Sequence, residues 1–241
     1  MKNSIIIIVF MALSSTLMAC DECKKYNTDD VQIVKASVIH DTNIKSTIWE
    51  INVKGSAGKT TPVAAGQLHG APVLGYVFPT TLKPTDVGFS DTQGILALAL
   101  TSHPDFDDTP LWDENNDSTY DNDGIIWHPH WVVLHKDDRV EGGLSVKQFR
   151  KTDSSVKLPP TNPGMPMYMD SPGFQVITNK TSIKVVIPDY RINNQTNFKF
   201  DAVSAFMQVN TENKDKPMLG VYKVYSVLST DLSLPYTVQS K

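Results

Sequence analysis

The sequence predicts an all-β fold, a two-sheet antiparallel β-sandwich of about ten strands with long loops. Three observations predict it. Short runs rich in β-branched and aromatic residues recur from residue 31 onward, Gly, Pro, Asn and Asp cluster between them, and no stretch sustains the apolar period of a helix. Many short strands in a single domain favour two packed layers over one open sheet.

Residues 1–19 stand apart from this pattern. Met1, Lys2 and Asn3 lead into an apolar run over 5–17, which has signal-peptide length and is short for a membrane span. It reads as an export signal, so the mature chain belongs in the periplasm or at the cell surface. Leu17-Met18-Ala19-Cys20 resembles a bacterial lipobox, which makes Cys20 a candidate for lipidation and membrane attachment; the alternative is simple cleavage after Ala19. Cys20 and Cys23 are the two cysteines of the chain, so no disulfide staples the body of the fold. Without a lipid, the pair suits a small-loop disulfide or a pair of soft metal ligands. Residues 20–30 are polar and read as a tether, leaving 31–241 as one β-sandwich domain.

Strands are expected at 31–38 and 47–53, bounded by Asp41-Thr42-Asn43 and by Gly55-Ser56-Ala57-Gly58, with 38–53 forming an early hairpin. Further strands are expected at 73–78, 95–100, 125–135, 144–149, 174–177, 183–187, 198–209 and 218–228. Residues 66–70 and 79–86 read as connectors. The segment 156–172 holds five prolines and is expected to cross between the sheets in extended form.

The formal charge is −4, and −5 once residues 1–19, which carry Lys2 and no acid, are removed. A net negative chain argues against nucleic acid as a partner. A hydrophobic content of 40% is enough for one core.

The chemistry is concentrated in residues 102–135, which hold four of the six histidines and three of the four tryptophans. A core alone does not call for that composition. In Trp127-His128-Pro129-His130-Trp131, strand alternation puts His128, His130, Val132 and Leu134 on one face and Trp127, Trp131, Val133 and His135 on the other. Two imidazoles two residues apart on a strand project side by side and suit one transition-metal ion. Pro129 cannot donate to a ladder, so the strand is expected to be at an edge or a bulge there. His103, at the end of its own strand, is the better third ligand, with His69 a further candidate. His135 reads as structural.

The acidic residues Asp105, Asp107, Asp108, Asp113, Asp117, Asp121 and Asp123, with Asn115 among them, lie in a stretch without lysine or arginine. Carboxylates crowded this tightly repel one another unless a cation neutralises them, and hard oxygen ligands suit calcium. The full twelve-residue EF-hand loop is not present. Met165, Met167 and Met169 recur at period two, either as soft ligands for Cu(I) or as the core-facing side of a strand.

The export signal, the sandwich pattern, the acidic loop and the stretches GQLHGAPVLGYVFPT and WHPHWVVL together resemble the copper-repressible copper-binding surface proteins of methane-oxidising bacteria. That resemblance implies a copper site built from histidines and an oxidised tryptophan, holding largely Cu(I) and serving copper acquisition. His128 and His130, with Trp127 or Trp131 adjacent, are the matching positions, although no tryptophan aligns two residues before a ligand histidine. The stretch 182–209 is similar to the closing part of a DOMON-like or family 9 carbohydrate-binding sandwich, which implies haem or sugar as a ligand. The leading expectation is a non-enzymatic copper-binding protein of the cell envelope with a calcium-ordered acidic loop. Its alternatives are a haem- or carbohydrate-binding module, and a metal-dependent hydrolase using Asp105 or Asp107 as base.

Overall fold

The computed structural model describes residues 20–104 and 126–241. A short helix α1 (Asp21–Lys25) precedes fourteen strands among the described residues. They are β1 (Ile33–Asp41), β2 (Ser46–Val53), β3 (Pro72–Pro79), β4 (Ile95–Ser102), β5 (His128–Lys136), β6 (Leu144–Val146), β7 (Met169–Asp170), β8 (Val176–Asn179), β9 (Ser182–Pro188), β10 (Lys199–Phe200), β11 (Val203–Val209), β12 (Leu219–Val227), β13 (Tyr236–Thr237) and β14 (Gln239–Ser240).

One layer is a five-stranded sheet in the order β14-β1-β2-β9-β8, in which only the β14–β1 pairing is parallel. Its sequence explains its one-sidedness. In β2, Trp49, Ile51 and Val53 are buried while Glu50 and Asn52 are partly exposed, and β9 alternates in the same way through Ile183, Val185 and Ile187. The expected early hairpin is β1–β2, whose register runs from Ile33↔Val53 to Asp41↔Ser46.

The second layer corrects the expected sandwich. The strands β4-β3-β11-β12-β6-β5 are hydrogen-bonded in that order, and β5 pairs back with β4, so the sheet closes into a six-stranded antiparallel barrel. The physical reason lies in β3, β4 and β5, which are buried on both faces and, the histidines of β5 apart, largely apolar. A sheet apolar on both sides needs two covers. Closure buries one side against itself, and the five-stranded sheet covers part of the other.

Two cores result. Between the layers lie large side chains such as Trp49, Phe78, Trp131, Phe200 and Phe206. Inside the barrel lie smaller ones, among them Val73, Ala99, Val132, Ala205 and Val221. The lumen that these strands enclose offers about 90 Å³ to the centres of water-sized molecules.

Three further expectations change. The proline-rich segment does more than cross between sheets. Tyr168 N–H donates to Lys147 O (2.8 Å), Met167 bridges Gln148, and β7 pairs with β5 at Trp131 and Val132, so the segment completes the barrel wall where β6 stops. The run 198–209 divides into β10 and β11 at Asp201 and Ala202; the Asp201 carboxylate accepts the backbone N–H of Ala202 (2.8 Å) and of Ser229 (3.2 Å). The residues read as a tether, 20–30, are packed against the domain. Cys23 and Tyr26 are buried, Tyr26 stacks on Phe206 (5.7 Å), and Tyr225 Oη donates to Cys23 O (2.7 Å). Cys20 and Cys23 form a disulfide, one of the two lipid-free expectations for the pair. No described helix is long and apolar enough to cross a membrane. Residues 1–19 lie outside the described residues.

Candidate metal centre

The centre is assembled where β4 ends and β5 begins. Antiparallel register sets Thr101 opposite His128 and Ala99 opposite His130. Alternation along β4 sends Ala99, Thr101 and then His103 to the lumen side, while Leu96, Leu98 and Leu100 face the sheet layer. On β5 the faces divide as the sequence predicts. His130, Val132 and Leu134 line the lumen, and Trp127, Trp131 and Val133 belong to the other core. Pro129 pairs with Leu100 of β4, while the other side of β5 is laddered only from Trp131 onward, so the strand is one-sided at the proline.

The start of β5 is fixed from outside the barrel. Trp127 packs against Tyr76 (4.9 Å between centroids) and donates from Nε1 to Gly58 O (2.8 Å). Gly58 has φ +75°, and a Cβ there would lie 2.7 Å from Thr178 Cγ2 and 3.0 Å from Trp127 Nε1. Only glycine permits both the left-handed turn and this approach. Tyr76 Oη, whose pKa burial pushes up to about 12, stays protonated; it donates to Asp30 O (2.7 Å) and accepts from Gly58 N (3.2 Å). Trp127 therefore anchors the strand that carries His128, with its ring facing away from the histidines.

His103, His128 and His130 are buried and form a cluster that could hold a metal ion, with one candidate ligand atom from each lying within 4.8 Å of the others. The rings of His103 and His128 are nearly perpendicular at 4.7 Å, as are those of His128 and His130 at 4.9 Å. Hydrogen bonds define the tautomers. Nδ1 of His103 faces Pro104 O and Nδ1 of His128 faces Ile126 O, both at 2.9 Å. A carbonyl oxygen only accepts, so each Nδ1 carries a hydrogen, and the neutral form of each ring has its lone pair on Nε2.

Those two Nε2 atoms face each other at 2.9 Å. Two nitrogens facing each other at that distance are an arrangement that a shared proton or a metal ion suits. Nδ1–H to a backbone carbonyl is also the outer hydrogen bond that orients a metal-bound imidazole. With bonds of about 2.0–2.1 Å, two nitrogens of a tetrahedral set lie roughly 3.3 Å apart. The pair needs to open by a few tenths of an ångström to hold an ion, and His130 to lean in. Ser171 Oγ sits 3.0 Å from His130 Nδ1 and completes the outer ring of support. Beside it, burial raises the pKa of Asp170, opposed by a hydrogen bond from Thr161 Oγ1 (2.7 Å) and by the charge of Arg191.

The other predicted site residues are distributed differently. His69 is exposed, accepts from Thr211 N at 3.1 Å, lies 3.6 Å from Glu212 and is not part of the cluster. Met165, Met167 and Met169 line the same lumen as His103 and His130, joined by Met207. His135 makes a structural contact, 3.0 Å from Ser145 Oγ. The acidic candidates from Asp105 to Asp123, with Asn115, lie outside the described residues. Sequence reasoning did not single out Thr101 or Ser171. Thr101 is recoverable from alternation on β4, whereas Ser171 sits in an irregular connector that carries no periodic signal.

Comparison with protein-family models, with curated proteins and with solved structures gave no match.

Proposed function

We propose that this chain is an exported, non-enzymatic copper-binding protein of the cell envelope, serving copper acquisition or handling. The observation that carries the reading is the 2.9 Å contact between the Nε2 atoms of His103 and His128, each ring fixed by an Nδ1–H bond to a backbone carbonyl. Imidazole nitrogens suit copper, zinc, iron and nickel. Copper is favoured among them by the thioethers of Met165, Met167, Met169 and Met207, which line the lumen onto which His103 and His130 open, because soft sulfur selects Cu(I). Export is supported by the apolar leader over 5–17 and by the Cys20–Cys23 disulfide, since such bonds persist in oxidising compartments. The acidic stretch between His103 and His128 is proposed to hold calcium and to order the approach to the histidines.

The test is metal content. The chain purified without an affinity tag is titrated with Cu(I) against a competing chelator, in parallel with Zn(II), and stoichiometry is read by plasma mass spectrometry. One copper per chain is expected, with His128→Ala and His103→Ala each weakening it at least about 100-fold. Copper content unchanged in both variants overturns the site, and stoichiometric zinc with copper excluded overturns the choice of ion.

A further inference from the structure

Beyond its histidines, the barrel encloses a cavity whose methionines the metal reading uses and whose aliphatic length it leaves unexplained. Its wall is aliphatic and thioether side chains apart from one end, where Thr101, His103 and His130 supply the polar atoms. The room inside, about 90 Å³ for the centres of water-sized molecules, is several times the roughly 10–15 Å³ that one water needs, yet away from that polar end the wall gives a water no partners. From His130 to Leu134, both lining it, four strand residues span about 13 Å, close to the length of a ten-carbon chain.

Thr101 supplies a second, independent observation. It is 3% exposed and lines the cavity, and its Oγ1 has no hydrogen-bond partner among the described residues. A buried hydroxyl left in that condition costs free energy, and a threonine there is explained if something in the lumen accepts its hydrogen. At the far end of the cavity lie Leu232 and Leu234, in a segment where Thr230, Leu232 and Leu234 have φ of 75°, 59° and 54°. Leucine is rare in that region of conformational space, and backbone held there recurs at ligand clamps. Leu232 is 36% exposed, so this end meets solvent.

We propose that the lumen binds a medium-chain fatty acid. The alkyl tail lies along the apolar wall with its methyl end toward Leu232 and Leu234, and the carboxylate accepts a hydrogen bond from Thr101 Oγ1 beside the histidine cluster. Methionines suit a flexible tail because their side chains adapt to it. Gly75 opposite Ala205 keeps side-chain bulk low at this level of the barrel, and a Cβ on residue 75 would lie 2.7 Å from Met207 Cε.

The test uses the full mature chain with dodecanoate, hexanoate and dodecanol, read by native mass spectrometry and by displacement of a fluorescent fatty-acid analogue. It is run once with chelator present and once after metal titration, so that failure of the metal reading and failure of this one are separable. One dodecanoate per chain is expected under both conditions, with hexanoate weaker by at least about tenfold. Ala205→Leu, which fills the lumen, is expected to weaken dodecanoate at least tenfold while leaving metal stoichiometry unchanged. Should that variant not fold, Leu232→Arg at the exposed mouth is expected to have the same effect. Thr101→Val is expected to weaken dodecanoate about fivefold and dodecanol less. Absence of one-to-one binding, or equal affinity in the Thr101 and Leu232 variants and the parent, overturns the proposal.

Discussion

At the scale of single residues, the molecule separates polar groups that are satisfied from those that are not. Trp49 Nε1, inside the core, donates to Thr47 Oγ1 (2.8 Å), and Ser204 Oγ donates to Val31 O (2.5 Å). Thr101 Oγ1 lacks such a partner. Replacing it with valine keeps the shape and removes the desolvation cost of the hydroxyl. Thr101→Val is therefore expected to raise the stability of the ligand-free protein by about 1 kcal/mol, read as an increase in the urea midpoint at unchanged slope; a lower midpoint would mean that the hydroxyl is satisfied. The same scale explains what was legible in the candidate site. His128 and His130 declare themselves by their i, i+2 spacing on a strand, and His103 by following the alternation of β4. Ser171 does not, because its place against His130 depends on the path of a proline-rich segment.

At the scale of elements, the β5–β6 hairpin closes the barrel, and its far seam is narrow. β6 and β12 share the single register pair Ser145↔Gly220, supported by Gly142 N donating to Val221 O (2.9 Å). The hairpin holds its own shape through Asp137. Arg139 donates to its carboxylate from Nε (2.8 Å) and Nη2 (2.6 Å), and Ser145 Oγ donates to Oδ2 (2.7 Å). The Arg139 guanidinium, aided by the Ser145 hydroxyl, holds the Asp137 carboxyl well below the usual carboxylate range against the opposing effect of burial. For an acid with a depressed folded pKa, the unfolded chain binds the proton first as pH falls. The stabilisation is thus present above the unfolded value of about 3.9 and is lost as pH drops toward the folded value. Because Arg139 is 42% exposed, the pairing is discounted for solvent screening, and Asp137→Asn is expected to cost on the order of 1 kcal/mol at neutral pH. The difference in melting temperature between parent and variant should shrink below pH 4, with faster amide exchange at Gly142 in the variant. A gap that stays constant down to pH 2 would remove the ion pair from the account.

At the scale of the whole molecule, the question is how barrel and sheet become one folding unit. Strand positions were legible because the exposed layer alternates, as β2 and β9 do, and because turn formers separate the runs. Closure was not legible, since strands apolar on both faces, such as β3 and β4, also suit the interior of a covered sheet, and the barrel differs in that β5 pairs with β4 and reaches β12 through β6. What joins the layers is the aromatic contact set around Trp49. It stacks on Phe198 (5.2 Å) and meets Phe78 (5.3 Å) and Trp131 (5.9 Å) edge-on, so one side chain of the sheet touches both β3 and β5 of the barrel. Trp49 is fully buried, and its truncation to alanine is expected to cost about 3–5 kcal/mol. Val132→Ala, on the lumen side of the same barrel, removes two methyl groups beside existing space and is expected to cost about 1–2 kcal/mol. If the interlayer core couples the parts, Trp49→Ala lowers a single cooperative transition, coincident by near- and far-ultraviolet circular dichroism. If the barrel instead stands alone, the variant shows two transitions, and the histidine cluster keeps its metal affinity after the first; that outcome would make the five-stranded sheet an accessory to a self-sufficient barrel.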